Sequence, residues 1–96
     1  MIEVIYKKEY LKSFDSLSRR EQELVLLADE EIREYCRTGK ASYGLRVKKL
    51  HHAGDAQIFE ARISLALRIL WARERNRVSF ILAGDHDAVS RFLRNL

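Results

Sequence analysis

The sequence has no proline and one cysteine, and each scarcity closes off a class of protein. A chain without proline that is 47% hydrophobic and 33% charged has the composition of a compact globular domain, not of a disordered tail. Cys36 has no partner for an internal disulfide, which fits a reducing compartment, and its place in an apolar helical stripe points to core packing. No run approaches the ~20 apolar residues that a helix needs to span a bilayer. The start Met1-Ile2-Glu3-Val4-Ile5-Tyr6 lacks the basic opening and long apolar stretch of a signal peptide, so a cytoplasmic protein with no membrane association is expected. Histidine is scarce as well. His51-His52 has no matching Cys/His set elsewhere, so loop histidines are expected there, with no metal and no cofactor. Repeats, linkers and low-complexity segments are absent, and 96 residues predict a single domain over 1–96. A core this small gives modest stability that a bound partner would raise. The net charge of +4 suits a polyanion such as RNA, and equally an acidic protein.

What is present is ordered. Residues 2–6 form a short β-branched and aromatic strand, and Tyr10, Leu11 and Phe14 mark a first helix ending near Asp15-Ser16. Ser18-Arg19-Arg20-Glu21 has capping-box spacing, and Leu24, Ala28, Ile32, Tyr35 and Cys36 recur on one helical face until Gly39, so a helix is predicted over 18–37. A strand follows at Leu45 to Leu50, then a loop through residues 51–55. Ile58 to Ser64 alternates, with Phe59, Ala61 and Ile63 on one face and Glu60, Arg62 and Ser64 on the other. In the next strand, Leu67, Ile69 and Trp71 share a face that Arg68 opposes. Residues 73–77 suggest a polar hairpin connection. Val78 to Ala83 is an almost continuous apolar strand, covered on most of both faces. After Gly84-Asp85-His86-Asp87, the residues Val89, Phe92, Leu93 and Leu96 mark an amphipathic helix. The expected architecture is α+β: an antiparallel β-sheet meander packed against N-terminal helices, with a short C-terminal helix and the helices gathered on one face.

Three segments carry a resemblance. Gly44-Leu45-Arg46-Val47-Lys48-Lys49-Leu50 resembles the strand that opens the sheet of the RelE/ParE toxin superfamily. Phe59-Glu60-Ala61-Arg62-Ile63-Ser64 followed by Leu67-Arg68-Ile69-Leu70-Trp71 is similar to that superfamily's "Y/F-E-x-R-I-S … Y-R-I-L-Y/W" pair of strands, and Gly84-Asp85-His86-Asp87-Ala88-Val89 to its "G-x-H-x-x-V" segment. The pieces span the chain in order and at the right spacing. The resemblance implies the toxin of a type II toxin–antitoxin pair, neutralised by a cognate protein antitoxin. RelE-like members cut mRNA on the ribosome and so inhibit translation. ParE-like members share the fold and poison DNA gyrase without an RNA-cleaving site. A degenerate toxin that only binds antitoxin or nucleic acid is a third possibility.

Metal-free RNA cleavage needs a base for the 2′-hydroxyl proton, an acid for the leaving 5′-oxygen and cations around the phosphorane. Arg68 is the first cation candidate, because its planar fork can bind phosphate bidentately; the alternative is a surface arginine paired with a carboxylate. Arg62 and Glu60 share one strand face, as phosphate grip and general base, or as a solvated structural pair. Histidine can donate or accept a proton, so His86 is the candidate to move it, or the Asp-His-Asp segment simply caps the last helix. Arg46, Lys48 and Lys49 are the expected RNA-binding residues, with a charged edge strand as the alternative. Trp71, Tyr10 and Phe14 are assigned to the core. Phe92 stands where some RelE-like toxins place a tyrosine, which removes a phenolic acid from that point.

Overall fold

The computed structural model describes residues 2–40 and 44–95. The elements run β1 (Glu3–Tyr6), α1 (Lys8–Asp15), α2 (Arg19–Thr38), β2 (Arg46–Ala53), β3 (Ala56–Arg62), β4 (Arg68–Glu74), β5 (Arg77–Gly84) and α3 (His86–Arg94). They build an α+β fold around one five-stranded sheet in the order β1-β5-β4-β3-β2. From β2 to β5 the pairing is antiparallel, as the short connections require, whereas β1 joins the far edge parallel to β5.

Helix α2 begins and ends where its sequence says. The Ser18 hydroxyl accepts from the Glu21 amide at 3.2 Å, the Glu21 carboxylate accepts from the Ser18 amide at 3.0 Å, and Gly39 closes the helix at φ 79°. Its apolar stripe, Val25, Ala28, Ile32 and Cys36, packs with Tyr10 of α1 on Ala61, Ile69, Trp71, Val78 and Phe80 of the sheet. Phe59 stacks on Trp71 with centroids 5.4 Å apart, and Phe14 packs against this same core, so Trp71, Tyr10 and Phe14 are core residues as expected. Burial pushes the Cys36 thiol up, which makes it a poor nucleophile.

Three local expectations are corrected. The helices are not gathered on one face: α1 and α2 cover one side, while Val89, Phe92 and Leu93 of α3 pack on Ile58, Leu70 and Ile81 on the other. Leu96 lies outside the described residues. The loop expected over residues 51–55 is mostly strand; β2 runs to Ala53 past an irregularity between Lys49 and His51, and Gly54-Asp55 makes the turn with Gly54 at φ 61°. The irregularity breaks the period-two alternation that would have revealed the strand. The polar connection over 73–77 shrinks to Arg75-Asn76, and Arg73 instead donates from Nη1 to the Cys36 carbonyl at 2.7 Å, a cation at the C-terminal end of α2.

A polar cluster ties the parallel edge to α2. Asp29, only 5% exposed, accepts from the Tyr6 hydroxyl at 3.0 Å and from Arg33 Nε at 2.8 Å. Burial and then this hydrogen bond push the Tyr6 phenol up to about 12; burial and then the Asp29 charge hold Tyr10 higher still. Both phenols are therefore raised above their unfolded value of about 10. Their contribution to stability is complete below about pH 10 and is lost as pH rises towards the folded values. Tyr10→Phe keeps the ring and removes a buried hydroxyl that has no hydrogen-bond partner among the described residues. We expect it to leave neutral-pH stability intact and to flatten the fall of melting temperature above about pH 10; an unchanged slope would contradict this.

Candidate active site

The short helix α3 covers only part of its face of the sheet. It is held close by Gly84, where a Cβ would meet the Ala88 Cβ at 3.1 Å. The Asp85 carboxylate accepts from the Ala88 amide at 2.8 Å and starts the helix. Beside α3, the polar positions of β2, β3 and β4 line an open cavity of about 400 Å³ that contains Arg46, Lys48, Glu60, Arg62, Arg68 and His86.

The register decides what these residues can do. Arg46 is paired with Arg62, and Arg62 with Arg68, so three guanidinium groups occupy one cross-strand rung. On the next rung of the same face, Lys48 is opposite Glu60. Like charges directly opposite each other destabilise a sheet. One carboxylate lines the cavity, and it is engaged: Glu60 Oε1 lies 3.5 Å from Arg68 Nε, with the two side chains 16% and 13% exposed. Among the described residues no carboxylate lies within ion-pair distance of Arg46, Lys48 or Arg62. Arg68 Nη1 is buried and has no hydrogen-bond partner among the described residues. Unsatisfied buried donors are rare in native proteins because each costs about 1–3 kcal/mol. A cavity with this rung and this donor has the chemistry of an anion site.

His86 is the first residue of α3, exposed at the cavity rim. Its Nε2 lies 3.4 Å from the Ser90 hydroxyl one helical turn on, with the direction of that contact set by the imidazole tautomer. Asp85 is the cap of the last helix, so the capping role belongs to Asp85 and leaves the His86 ring free of it.

Six of the seven residues singled out in the sequence thus share one cavity: Arg46, Lys48, Glu60, Arg62, Arg68 and His86. Lys49 does not join them. It is paired with Phe59, whose ring belongs to the opposite face, and paired residues share a face. His51 and His52 are exposed strand residues, not loop residues. Ser90 was not foreseen, although its i, i+4 spacing from His86 on an amphipathic helix is a legible signal.

No family model matches the chain, and no curated protein does. Solved structures do. The RelE–RelB complex of the archaeon Pyrococcus horikoshii OT3 matches at 20% identity and a TM-score of 0.66, over 88% of this chain and 93% of that one. The YoeB/ParE toxin of Agrobacterium tumefaciens matches at 19% identity and 0.63, over 88% and 99%. The Escherichia coli DinJ–YafQ complex matches at 9% identity and 0.67, over 93% and 98%. At these identities the likeness is one of fold: the chain has the RelE/ParE-like toxin fold expected from its sequence.

Proposed function

We propose that the chain is the toxin of a toxin–antitoxin pair and acts as a metal-independent mRNA endonuclease that stops translation in the cytoplasm. The observation that carries this reading is the cross-strand rung Arg46–Arg62–Arg68, in which Arg68 has a buried nitrogen without a partner among the described residues. A rung of cations with one neutralising carboxylate suits a phosphodiester, because the phosphorane formed in its cleavage carries more charge than the ground state. The RNA 2′-hydroxyl loses its proton to Glu60, O2′ attacks phosphorus, and the P–O5′ bond breaks. His86 delivers a proton to the leaving oxygen, so the products are a 2′,3′-cyclic phosphate and a 5′-hydroxyl. Arg68 and Arg62 hold the non-bridging oxygens, while Arg46 and Lys48 track the flanking backbone. Lys49, on the far face, is left as an outer electrostatic contribution.

The solved relatives from Pyrococcus horikoshii and Escherichia coli were each crystallised with an antitoxin, RelB and DinJ. A cognate antitoxin is the corresponding partner here, with an acidic or amphipathic segment laid over the basic cavity. Co-purification with the product of the adjacent small gene should raise the melting temperature with the logarithm of antitoxin excess, as linkage requires, and should relieve growth arrest. A chain that expresses freely alone without slowing growth would count heavily against the toxin role.

The direct test of activity is to add the purified chain to a translation extract and map mRNA 5′ ends by primer extension. Discrete new ends on translated mRNA support ribosome-linked cleavage. Intact mRNA together with inhibited gyrase supercoiling would favour a ParE-like inhibitor instead.

A further inference from the structure

The arginine rung has a second side. Arg46 and Arg62 line the cavity beneath α3, and they also line a neighbouring cavity of about 430 Å³ closed by Gly44, Ile63, Ser64 and Leu65. Among the described residues, this second cavity is lined by no carboxylate. Its outer wall is Leu65, at the β3–β4 turn, with 85% of its surface in solvent, the largest exposure of any large apolar residue described. The turn holding Leu65 is not loose. The Ser64 hydroxyl accepts from the Leu67 amide at 3.2 Å, the Ile63 and Ser64 amides donate to the Leu67 carbonyl at 2.9 and 3.2 Å, and Leu67 is anchored in the core.

We infer that this second cavity is a nucleotide subsite, in which the nucleotide next to the pair flanking the scissile phosphate lays its base against Leu65 and Ile63 while its phosphate is held by Arg46 and Arg62. The inference rests on the reading of the first cavity as an RNA-cleaving site and extends it to the next nucleotide. Three features favour a nucleotide over a protein segment. The two cavities share Arg46 and Arg62, so a phosphodiester chain seated in one can continue into the other along the same cations. Positive charge with no carboxylate matches a polyanion. The apolar surface is a single leucine over an isoleucine, large enough to flank one planar base and small for a protein interface, which buries about 800 Å² on each partner. Single-stranded RNA presents splayed bases to a protein surface, and an apolar leucine–isoleucine wall beside two arginines gives one such base a dry face next to its phosphate.

The test uses non-cleavable 2′-O-methyl oligonucleotides: a dinucleotide, which fills the first cavity only, and a pentanucleotide, which reaches the second. Leu65→Ala removes an exposed side chain and should leave the fold intact. It should weaken pentanucleotide binding roughly three- to tenfold, at or below the smallest cost of losing an aromatic stacking partner because leucine is aliphatic, and leave dinucleotide binding unchanged. Cleavage mapping should then show a relaxed base preference one nucleotide beyond the pair at the cut. Equal pentanucleotide affinity in wild type and Leu65→Ala, with binding still lost in Arg68→Ala, would overturn the subsite and spare the RNA reading. Weakened antitoxin binding with unchanged pentanucleotide binding would assign Leu65 to the protein partner and also overturn it. A wild type that binds neither oligonucleotide would overturn both readings.

Discussion

Arg68→Ala is expected to slow RNA cleavage by about 10²–10³-fold, the loss of roughly 2.7–4 kcal/mol of transition-state stabilisation that follows removal of one preorganised donor. The side chain is 13% exposed and its guanidinium is held 3.5 Å from Glu60, so its position is set before any ligand arrives. Its backbone neighbours Ile69 and Leu67 point into the other core, and the substitution leaves that core untouched. Folding should therefore survive, and circular dichroism with a melting curve checks it. Arg68→Lys keeps the charge but not the planar fork, so it should recover only part of the rate. Full cleavage by Arg68→Ala would remove the rung from the mechanism while leaving the fold assignment untouched.

His86→Ala should cost about 10²–10⁴-fold through lost proton transfer. The residue is exposed at the helix start, and helix initiation is supplied by Asp85 through the Ala88 amide, so α3 should remain docked through Val89, Phe92 and Leu93. A structural role and a proton-transfer role separate in a conservative variant. His86→Gln keeps hydrogen bonding but cannot transfer a proton, so it should lose the rate while α3 stays docked and the melting temperature holds. Retention of the rate in His86→Gln would move the acid to another group. A gyrase-directed inhibitor would be indifferent to either substitution in any RNA assay.

Much of this was legible because two periodicities are clean. The capping box at Ser18 and the stripe from Leu24 to Cys36 define α2, and strict alternation places Glu60, Arg62 and Arg68 away from Phe59, Ala61, Ile69 and Trp71. Alternation also separates Lys49 from Lys48, so grouping the two followed charge where the pleat already divided them. Other features depend on contacts between distant parts of the chain. The parallel pairing of β1 with β5 joins Glu3 to Arg77, and nothing local to either segment encodes it. The placement of α3 on its own side follows from Leu70 and Ile81, which an apolar run shows as buried without saying by which element. The arginine rung is the same kind of fact. Each arginine is visible in the sequence, but their alignment is set by the length of the β3–β4 turn and by where β2 becomes irregular.

The central claim is that the cationic rung promotes attack by the RNA 2′-hydroxyl without a metal. It is tested most directly with an end-labelled RNA incubated with the purified chain in excess EDTA, followed by analysis of the fragment ends. The account predicts cleavage that persists in the chelator, yields 2′,3′-cyclic phosphate and 5′-hydroxyl ends, and disappears when the nucleotide before the cut carries a 2′-deoxy sugar. Cleavage that stops in EDTA, or that continues past the deoxy substitution, would contradict it.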